Sequence, residues 1–215
     1  MSIRFPSFAR TRHLASVGRR LLLAFALLLP LAVAGLATAA DADGPGAAVK
    51  VTVENILAIL RKPGFKFETD RPAISAEVRK AFDDVAMAQS VLSTNWKMLN
   101  PDQQTEFKGL MLQTIESTYI GRIKAYTNET VQYRKEEVKG SLATVDTAIV
   151  TSSKEIPVNY KLRKRSDGWF VYDVEVENVS MVSTYRDSYR DIFAKEGIAG
   201  LLKQMKAKIA ELETK

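Results

Sequence analysis

The side chains best suited to acid–base chemistry are one aspartate and two tyrosines in the C-terminal half of the chain. Asp173 interrupts an apolar run, with Tyr172 beside it and Tyr160 shortly upstream. A carboxylate and a phenol in an apolar setting can transfer protons without any other group. The alternative is a structural carboxylate that pairs with a neighbouring base such as Arg163 or Lys161. We favour this structural role for Asp173.

The composition excludes the commoner catalytic classes. The sequence contains no cysteine, and its single histidine, His13, lies near the N-terminus. Catalysis by Ser-His-Asp or Cys-His groups is therefore excluded for the rest of the chain, as are typical zinc, copper and haem sites. Disulfides and a lipid-modified N-terminal cysteine are excluded as well. We expect neither a cofactor nor a metal.

The first forty residues have the pattern of a secretory signal peptide. A segment with five arginines and no acid leads into an apolar run from Leu21 to Leu36, and the small residues Ala37-Thr38-Ala39 follow it. An uncleaved membrane anchor is the alternative, but the run is short for a membrane span. We therefore expect cleavage and export. The Arg19-Arg20 pair leaves both general secretory and twin-arginine export open.

The basic character of the chain belongs mainly to this segment. The chain has 31 basic and 25 acidic residues, a formal charge of +6. Since residues 1–40 contain five arginines and no acid, the remainder carries 26 bases against 25 acids. The charge is therefore no sign of a nucleic-acid partner. The expected organisation is a signal peptide over residues 1–39, a linker over 40–48 and a single domain over 49–215.

The segment after the linker is predicted to be helical. Apolar spacing predicts a helix from Val49 to Leu60, which Pro63-Gly64 ends, and further helices over about 72–81 and 84–99. Asn100-Pro101-Asp102-Gln103 is a typical helix start, with Asn as the cap, Pro at the first position and Gln at the third. A long helix follows it.

From about Asn128 the period of the apolar residues changes from 3.6 to 2, which predicts strands. The tight turn Ser166-Asp167-Gly168 favours antiparallel pairing. Two helices, over about 184–195 and 198–212, close the chain. The fold class is therefore α+β, with helices covering one face of an antiparallel sheet. Four strands are expected: Glu129–Glu136, Gly140–Thr151, Glu155–Arg165 and Gly168–Glu177.

The alternation in the fourth strand predicts two different faces. One face would carry four large side chains: Phe170, Tyr172, Val174 and Val176. The other face would carry Trp169, Val171 and Asp173. With apolar positions of the second and third strands, the first set would line a wide apolar surface. By pattern alone, such a surface is more typical of an ordinary core than of a ligand cavity.

Two blocks of the sequence match a family pattern. In the block from Val158 to Tyr185, a strand ends in basic residues and is followed by Gly-Trp-x-Val-Tyr-Asp and Val-Ser-x-Val. In the other block, Met87-Ala88, Val91-Leu92 and Trp96 precede a Pro, Gln and Phe on the long helix. This combination resembles the MlaC family of periplasmic phospholipid-binding proteins, also called toluene-tolerance or ABC-transporter auxiliary proteins. Ser93 departs from the pattern, because the family usually has glycine there.

The resemblance implies an NTF2-like fold, in which a four-stranded antiparallel sheet and helices enclose an apolar cavity. It implies a carrier, expected to be monomeric, that holds the acyl chains of a glycerophospholipid while the head group faces solvent. Its partners would be the inner-membrane Mla ABC transporter complex and the outer-membrane MlaA–porin complex, contacted transiently. The carrier would maintain outer-membrane lipid asymmetry without covalent chemistry. Competing functions are an NTF2-like isomerase or dehydratase and a carrier of another apolar cargo.

On this basis we expect the lipid to contact side chains of the sheet and of the long helix. The expected lipid-binding residues are Leu110, Met111, Tyr119, Val145, Ile149, Val158, Tyr160, Leu162, Phe170, Tyr172 and Val174. Trp96 and Trp169 are more typical of packing anchors. The basic clusters at 163–165 and at Lys203, Lys206 and Lys208 are typical of solvated faces. Contact with lipid phosphate or an acidic partner is the alternative for these clusters.

Overall fold

Four α-helices precede an antiparallel sheet, and one long kinked helix follows it. The computed structural model describes residues 43–123 and 129–213, with side chains up to residue 118 in the first range. The helices are α1 (Pro45–Leu60), α2 (Phe67–Ala81), α3 (Asp84–Leu92), a 3₁₀ helix (Ser93–Met98), α4 (Pro101–Ile123) and α5 (Met181–Glu213). The strands are β1 (Thr130–Lys139), β2 (Leu142–Val150), β3 (Glu155–Arg165), β4 (Gly168–Val176) and β5 (Val179–Ser180).

The sheet is an antiparallel meander with the strand order β1-β2-β3-β4-β5. The predicted α+β class is confirmed, but the sheet has five strands where four were expected. The additional strand β5 turns back on β4 through Glu177 and Asn178, which have φ angles of 51° and 64°. Two successive positive φ angles are the geometry of a tight hairpin turn. The sequence did not reveal this turn, because glutamate is not typical of its first position.

The boundaries of the first two helices differ from the predicted ones. α1 begins at Pro45, so the second half of the predicted linker is helical, with proline at a favourable first position. α2 begins at Phe67 and contains Pro72 in its interior, whereas Pro72 was expected near its start. The backbone N–H of Lys66 donates to Asp70 Oδ2 at 2.9 Å, which stabilises the earlier start. An acidic first turn also suits the positive end of the helix.

The start of α4 and the break near the C-terminus are where the sequence placed them. The N–H of Gln103 donates to Asn100 Oδ1 at 2.9 Å, and the N–H of Asn100 donates to Gln103 Oε1 at 3.0 Å. This reciprocal pair is the predicted capping box. α5 is interrupted at Gly197, whose φ of 65° and ψ of −169° are not helical. The kink separates the two predicted terminal helices.

The helices form a layer with its own core. α5 packs against α3, α4 and β4, and α1 packs against α2. The ring centres of Phe107 and Tyr189 are 6.2 Å apart in an edge-to-face contact, and those of Tyr185 and Tyr189 are 5.6 Å apart. Arg186 Nε donates to the carbonyl of Ser90 at 2.8 Å and ties α5 to α3. Among the described helices, none combines the length and apolar content of a membrane span.

A strained residue separates α3 from the 3₁₀ helix. Ser93 has φ 53° and ψ −127°, a conformation that side-chain-bearing residues rarely adopt. Glycine adopts positive φ without steric cost. The structure therefore supplies a physical reason for the glycine that the family pattern has at this position.

Replacing Ser93 with glycine is expected to raise the free energy of unfolding by about 1 kcal/mol, because the strain at positive φ is removed. Urea unfolding followed by circular dichroism measures the change. Thr94→Gly is the matched control, since the neighbouring residue has no positive φ; it should lower stability by roughly 0.5–1 kcal/mol. Equal stability of Ser93→Gly and the parent protein would contradict the strain.

Candidate functional site

The cross-strand register places four rows of side chains on one face of the sheet. Directly paired residues of neighbouring strands point to the same side, so each row runs across the strands. We call this surface the apolar face. Its rows are Val131–Ile149–Ile156, Tyr133–Thr147–Val158–Val176, Glu136–Val145–Tyr160–Val174 and Val138–Ala143–Leu162–Val171.

Two β-bulges shape this face. In β1 the register shifts between Tyr133 and Lys135, and β4 contains one extra residue, Tyr172, opposite the step from Lys161 to Leu162. At each bulge, successive side chains on the apolar face are three residues apart along the strand instead of two. Bulges bend a strand and increase its twist. Both strands that flank the β2–β3 hairpin are therefore bent.

The bulge in β4 divides the set of four side chains that was expected on one face. Val174 and Val176 lie on the apolar face, whereas Phe170 pairs with Arg163 on the opposite face. The guanidinium of Arg165 lies 4.4 Å from the centre of the Phe170 ring. The prediction of a common face for Phe170, Tyr172, Val174 and Val176 is therefore wrong. Alternation holds only while the pairing register is unbroken.

The same bulge brings Trp169 and Val171 to the apolar side, although the alternation had assigned both to the other face. Val171 pairs with Leu162, and Trp169 pairs with Lys164. Both Trp169 and Val171 are buried. Their spacing to Val174 and Val176 follows a two-three-two pattern. That pattern was the available signal, but the large residues at 170 and 172 obscured it.

The structure brings together part of the predicted lipid-binding set. Six of its members share the apolar face: Val145, Ile149, Val158, Tyr160, Leu162 and Val174. Leu110 and Met111 lie on α4, whose main neighbours are α2, α3 and α5. The side chain of Tyr119 lies outside the described residues. Lipid contact by any of these residues stays a prediction.

Helix α1 covers the apolar face. The N–H of Gly46 donates to Glu136 Oε2 at 2.8 Å, which links the start of α1 to the third row. α1 approaches β1, β2 and β4 more closely than the central strand β3. Val53 and Ile56 of α1 are only half-buried, as are Ile149 and Ile156 of the first row. Apolar side chains on both layers therefore retain accessible surface.

The polar groups of the apolar face are nearly all uncharged. Burial raises the pKa of Tyr160 to about 12, and the hydrogen bond with Thr147 lowers it by a smaller amount. The residue nevertheless remains partly exposed. Burial also raises the pKa of Tyr133 to about 12, with smaller contributions from Tyr160 and Glu54. The hydroxyl of Thr147 donates to the carbonyl of Val158 at 2.9 Å. Both tyrosines are therefore neutral at physiological pH.

Asp173 has a structural role at the start of α5. It is 4% exposed. Ser180 Oγ donates to its Oδ2 at 2.7 Å and the N–H of Val182 donates to its Oδ1 at 3.0 Å. Lys161 Nζ lies 3.3 Å from the same carboxylate and also pairs with Glu175. Burial opposes the charge of Lys161, but the bond to Glu175 and the charges of Glu175 and Asp173 outweigh it and raise the pKa of Lys161.

The predicted pairing of Asp173 with Lys161 is thus confirmed. Because Asp173 pairs with Lys161 across the ladder, its side chain lies on the face opposite to Tyr160. Asp173 and Tyr160, one of the two tyrosines considered for acid–base chemistry, are therefore on different sides of the sheet. Within residues 43–123 and 129–213, no group of three or more acidic, histidine or cysteine side chains has the arrangement of a metal site.

The fold and this face define a class of protein: an NTF2-like α+β domain with helices over a bent, largely uncharged sheet face. Residues 50–207 match the family model described as MlaC protein. The chain belongs to the MlaC family.

A solved structure of the same fold is the phospholipid-binding protein from Ralstonia solanacearum, determined in complex with a phospholipid. The two folds superpose with a TM-score of 0.73 and share 21% sequence identity. The comparison covers 78% of this chain and 98% of the Ralstonia chain. At this identity the likeness establishes the fold.

Proposed function

We propose that this protein binds a phospholipid, with the acyl chains against the apolar face and beneath α1. The observation that carries the proposal is the half-buried apolar surface on both layers, at Ile149 and Ile156 of the sheet and at Val53 and Ile56 of α1. Apolar surface that two packed elements leave partly accessible is typical of a ligand-binding site. Family membership and the phospholipid bound by the Ralstonia protein support the same ligand.

The neutral character of the face suits a carrier that must also release its cargo. Each buried methylene contributes roughly 0.8 kcal/mol relative to water, so two sixteen-carbon chains contribute on the order of 25 kcal/mol. Relative to a lipid still in a bilayer, the difference is close to zero, because the chains are shielded from water in both places. The face contributes few polar groups that would shift this balance.

The proposed cellular role is transfer of glycerophospholipid between membranes in the periplasm. The protein would exchange lipid with the inner-membrane Mla transporter complex and with the outer-membrane MlaA–porin complex as a monomer. The signal-like N-terminal segment and family membership support this role. The role needs no covalent step, and the engagement of Asp173 in the cap of α5 agrees with that.

Native mass spectrometry of the purified protein tests the binding proposal. We expect the protein to carry one phospholipid per chain, because the half-buried apolar side chains of the first row and of α1 would otherwise remain partly exposed to water. Organic extraction and lipid mass spectrometry should identify a glycerophospholipid. A protein that is lipid-free, and that takes up no phospholipid from vesicles, would contradict the proposal. Recovery of a different apolar molecule would favour another cargo.

A further inference from the structure

A second concave surface lies between α2, α4 and the end of α5. It is a depression of about 400 Å³. Arg71, Ser75 and Arg79 line it from α2 at a spacing of four residues, so they form one stripe along that helix. Ile74 of the same helix is fully buried and faces elsewhere. The depression and the apolar face are therefore lined by different residues.

One pair of charges in the depression is already neutralised. Arg79 Nε lies 2.7 Å from Glu116 Oε1, and Arg79 Nη2 lies 2.8 Å from Glu116 Oε2. The contact of Nη2 is a hydrogen bond, whereas Glu116 Oε1 is close to Nε but has no hydrogen-bond partner in the described part of the chain. The Glu116 side chain is only 10% exposed, so the pair is held in place on the wall of the depression. The pair of Arg79 and Glu116 therefore adds N–H donors to the depression but no net charge.

The remaining two charges are of opposite sign and do not pair with each other. In the described part of the chain, Arg71 makes no ion pair, and Glu213 accepts a hydrogen bond from Gln113 Nε2 at 3.1 Å. Glu213 is the last residue of α5, where the helix carries a partial negative charge. The depression therefore contains one base without an ion pair in the described part of the chain and one acid at the negative end of α5.

We propose that this depression binds a zwitterion with a phosphodiester and a nearby ammonium group. The phosphate would accept hydrogen bonds from Arg71 and from the hydroxyl of Ser75, since guanidinium groups match phosphate geometry. The ammonium would lie against Glu213 and the terminal carbonyls of α5. Pro72 and Ala76 also line the depression and give it apolar surface. The volume is sufficient for a group of this size.

The ligand has two possible sources: the head group of a lipid held by the protein, or a water-soluble phosphodiester. The first source deepens the proposed function, whereas the second is independent of it. Glycerophosphoethanolamine is the probe, because it has the charges and lacks acyl chains. Its binding is measured from the backbone amide NMR shifts of α2 and α4, in lipid-free and in phospholipid-loaded protein.

We expect saturable shifts in lipid-free protein and at least about tenfold weaker binding in Arg71→Gln, since a charge-assisted contact is lost. Arg190→Gln is the matched control, an exposed arginine on α5, and it should bind as the parent does. Loss of probe binding after phospholipid loading identifies the head group as occupant, and retained binding identifies a separate soluble ligand.

Three results would overturn the proposal. The first is the absence of amide shifts in lipid-free protein, and the second is equal binding by Arg71→Gln and the parent. The third is equal binding of inorganic phosphate and glycerophosphoethanolamine, because a site without preference for the ammonium is not a zwitterion site. Phospholipid retention measured by native mass spectrometry is independent of all three results. Failure of this proposal therefore leaves the test of phospholipid binding on the apolar face intact.

Discussion

Ile149→Glu is expected to remove most of the bound phospholipid while the protein remains folded. Ile149 lies in the first row of the apolar face and is half-buried, so the new carboxylate can reach water in the lipid-free state. In the loaded state it would lie against acyl chains, at a cost of about 2 kcal/mol or more. This cost corresponds to at least about a tenfold loss of lipid occupancy. Native mass spectrometry after incubation with vesicles measures it.

Val150→Glu is the matched control for this experiment. Val150 is the next residue of β2, also apolar and half-buried, but it pairs with Glu155 on the opposite face of the sheet. We expect Val150→Glu to keep its phospholipid. Retention of lipid by Ile149→Glu, or equal loss in both variants, would show that the acyl chains do not lie on the apolar face. Circular dichroism of both variants confirms that they are folded.

Asp173→Ala is expected to lower the free energy of unfolding by about 3 kcal/mol. The substitution leaves the hydroxyl of Ser180 and the N–H of Val182 without their acceptor at the start of α5. Lys161 keeps Glu175 as a partner, so the loss comes mainly from the two unsatisfied donors. Urea unfolding, monitored by circular dichroism, measures the change.

Asp167→Ala serves as the control for the loss of a carboxylate. Asp167 is exposed in the turn between β3 and β4, and its contact is an ion pair with Arg165. We expect its removal to change stability by no more than about 0.5 kcal/mol. If Asp173→Ala were equally mild, the carboxylate would not be essential to the cap of α5. A structural role would then no longer account for its burial.

Features of the fold that depend on local sequence were predicted well. The capping box at Asn100 and Gln103, the turn at Ser166-Asp167 and the break at Gly197 all lie where the residue types placed them. Each is determined by the conformational preference of a few neighbouring residues. The β5 hairpin is the exception, because Glu177 adopts a conformation that its residue type does not favour.

Features of the candidate site that depend on pairing were predicted only in part. The β2–β3 half of the apolar face was correct, because both strands alternate without interruption. The β4 half was wrong for Phe170 and Tyr172. The bulge at Tyr172 moves the residues of β4 that precede it to the face opposite to the one that strict alternation predicts. The cover by α1 was not predicted; in the described part of the chain α4 packs mainly among helices, and lipid contact by α4 stays a prediction.

The sequence by itself determined the α+β class, the family and the lack of histidine and cysteine chemistry beyond His13. These follow from composition, motif order and local periodicity. The tertiary structure alone decided which side of β4 meets the apolar face, which helix covers it and that Asp173 caps α5. The reason is physical: the side chains of a strand alternate between two faces, but only the register with a partner strand decides where a bulge interrupts the alternation.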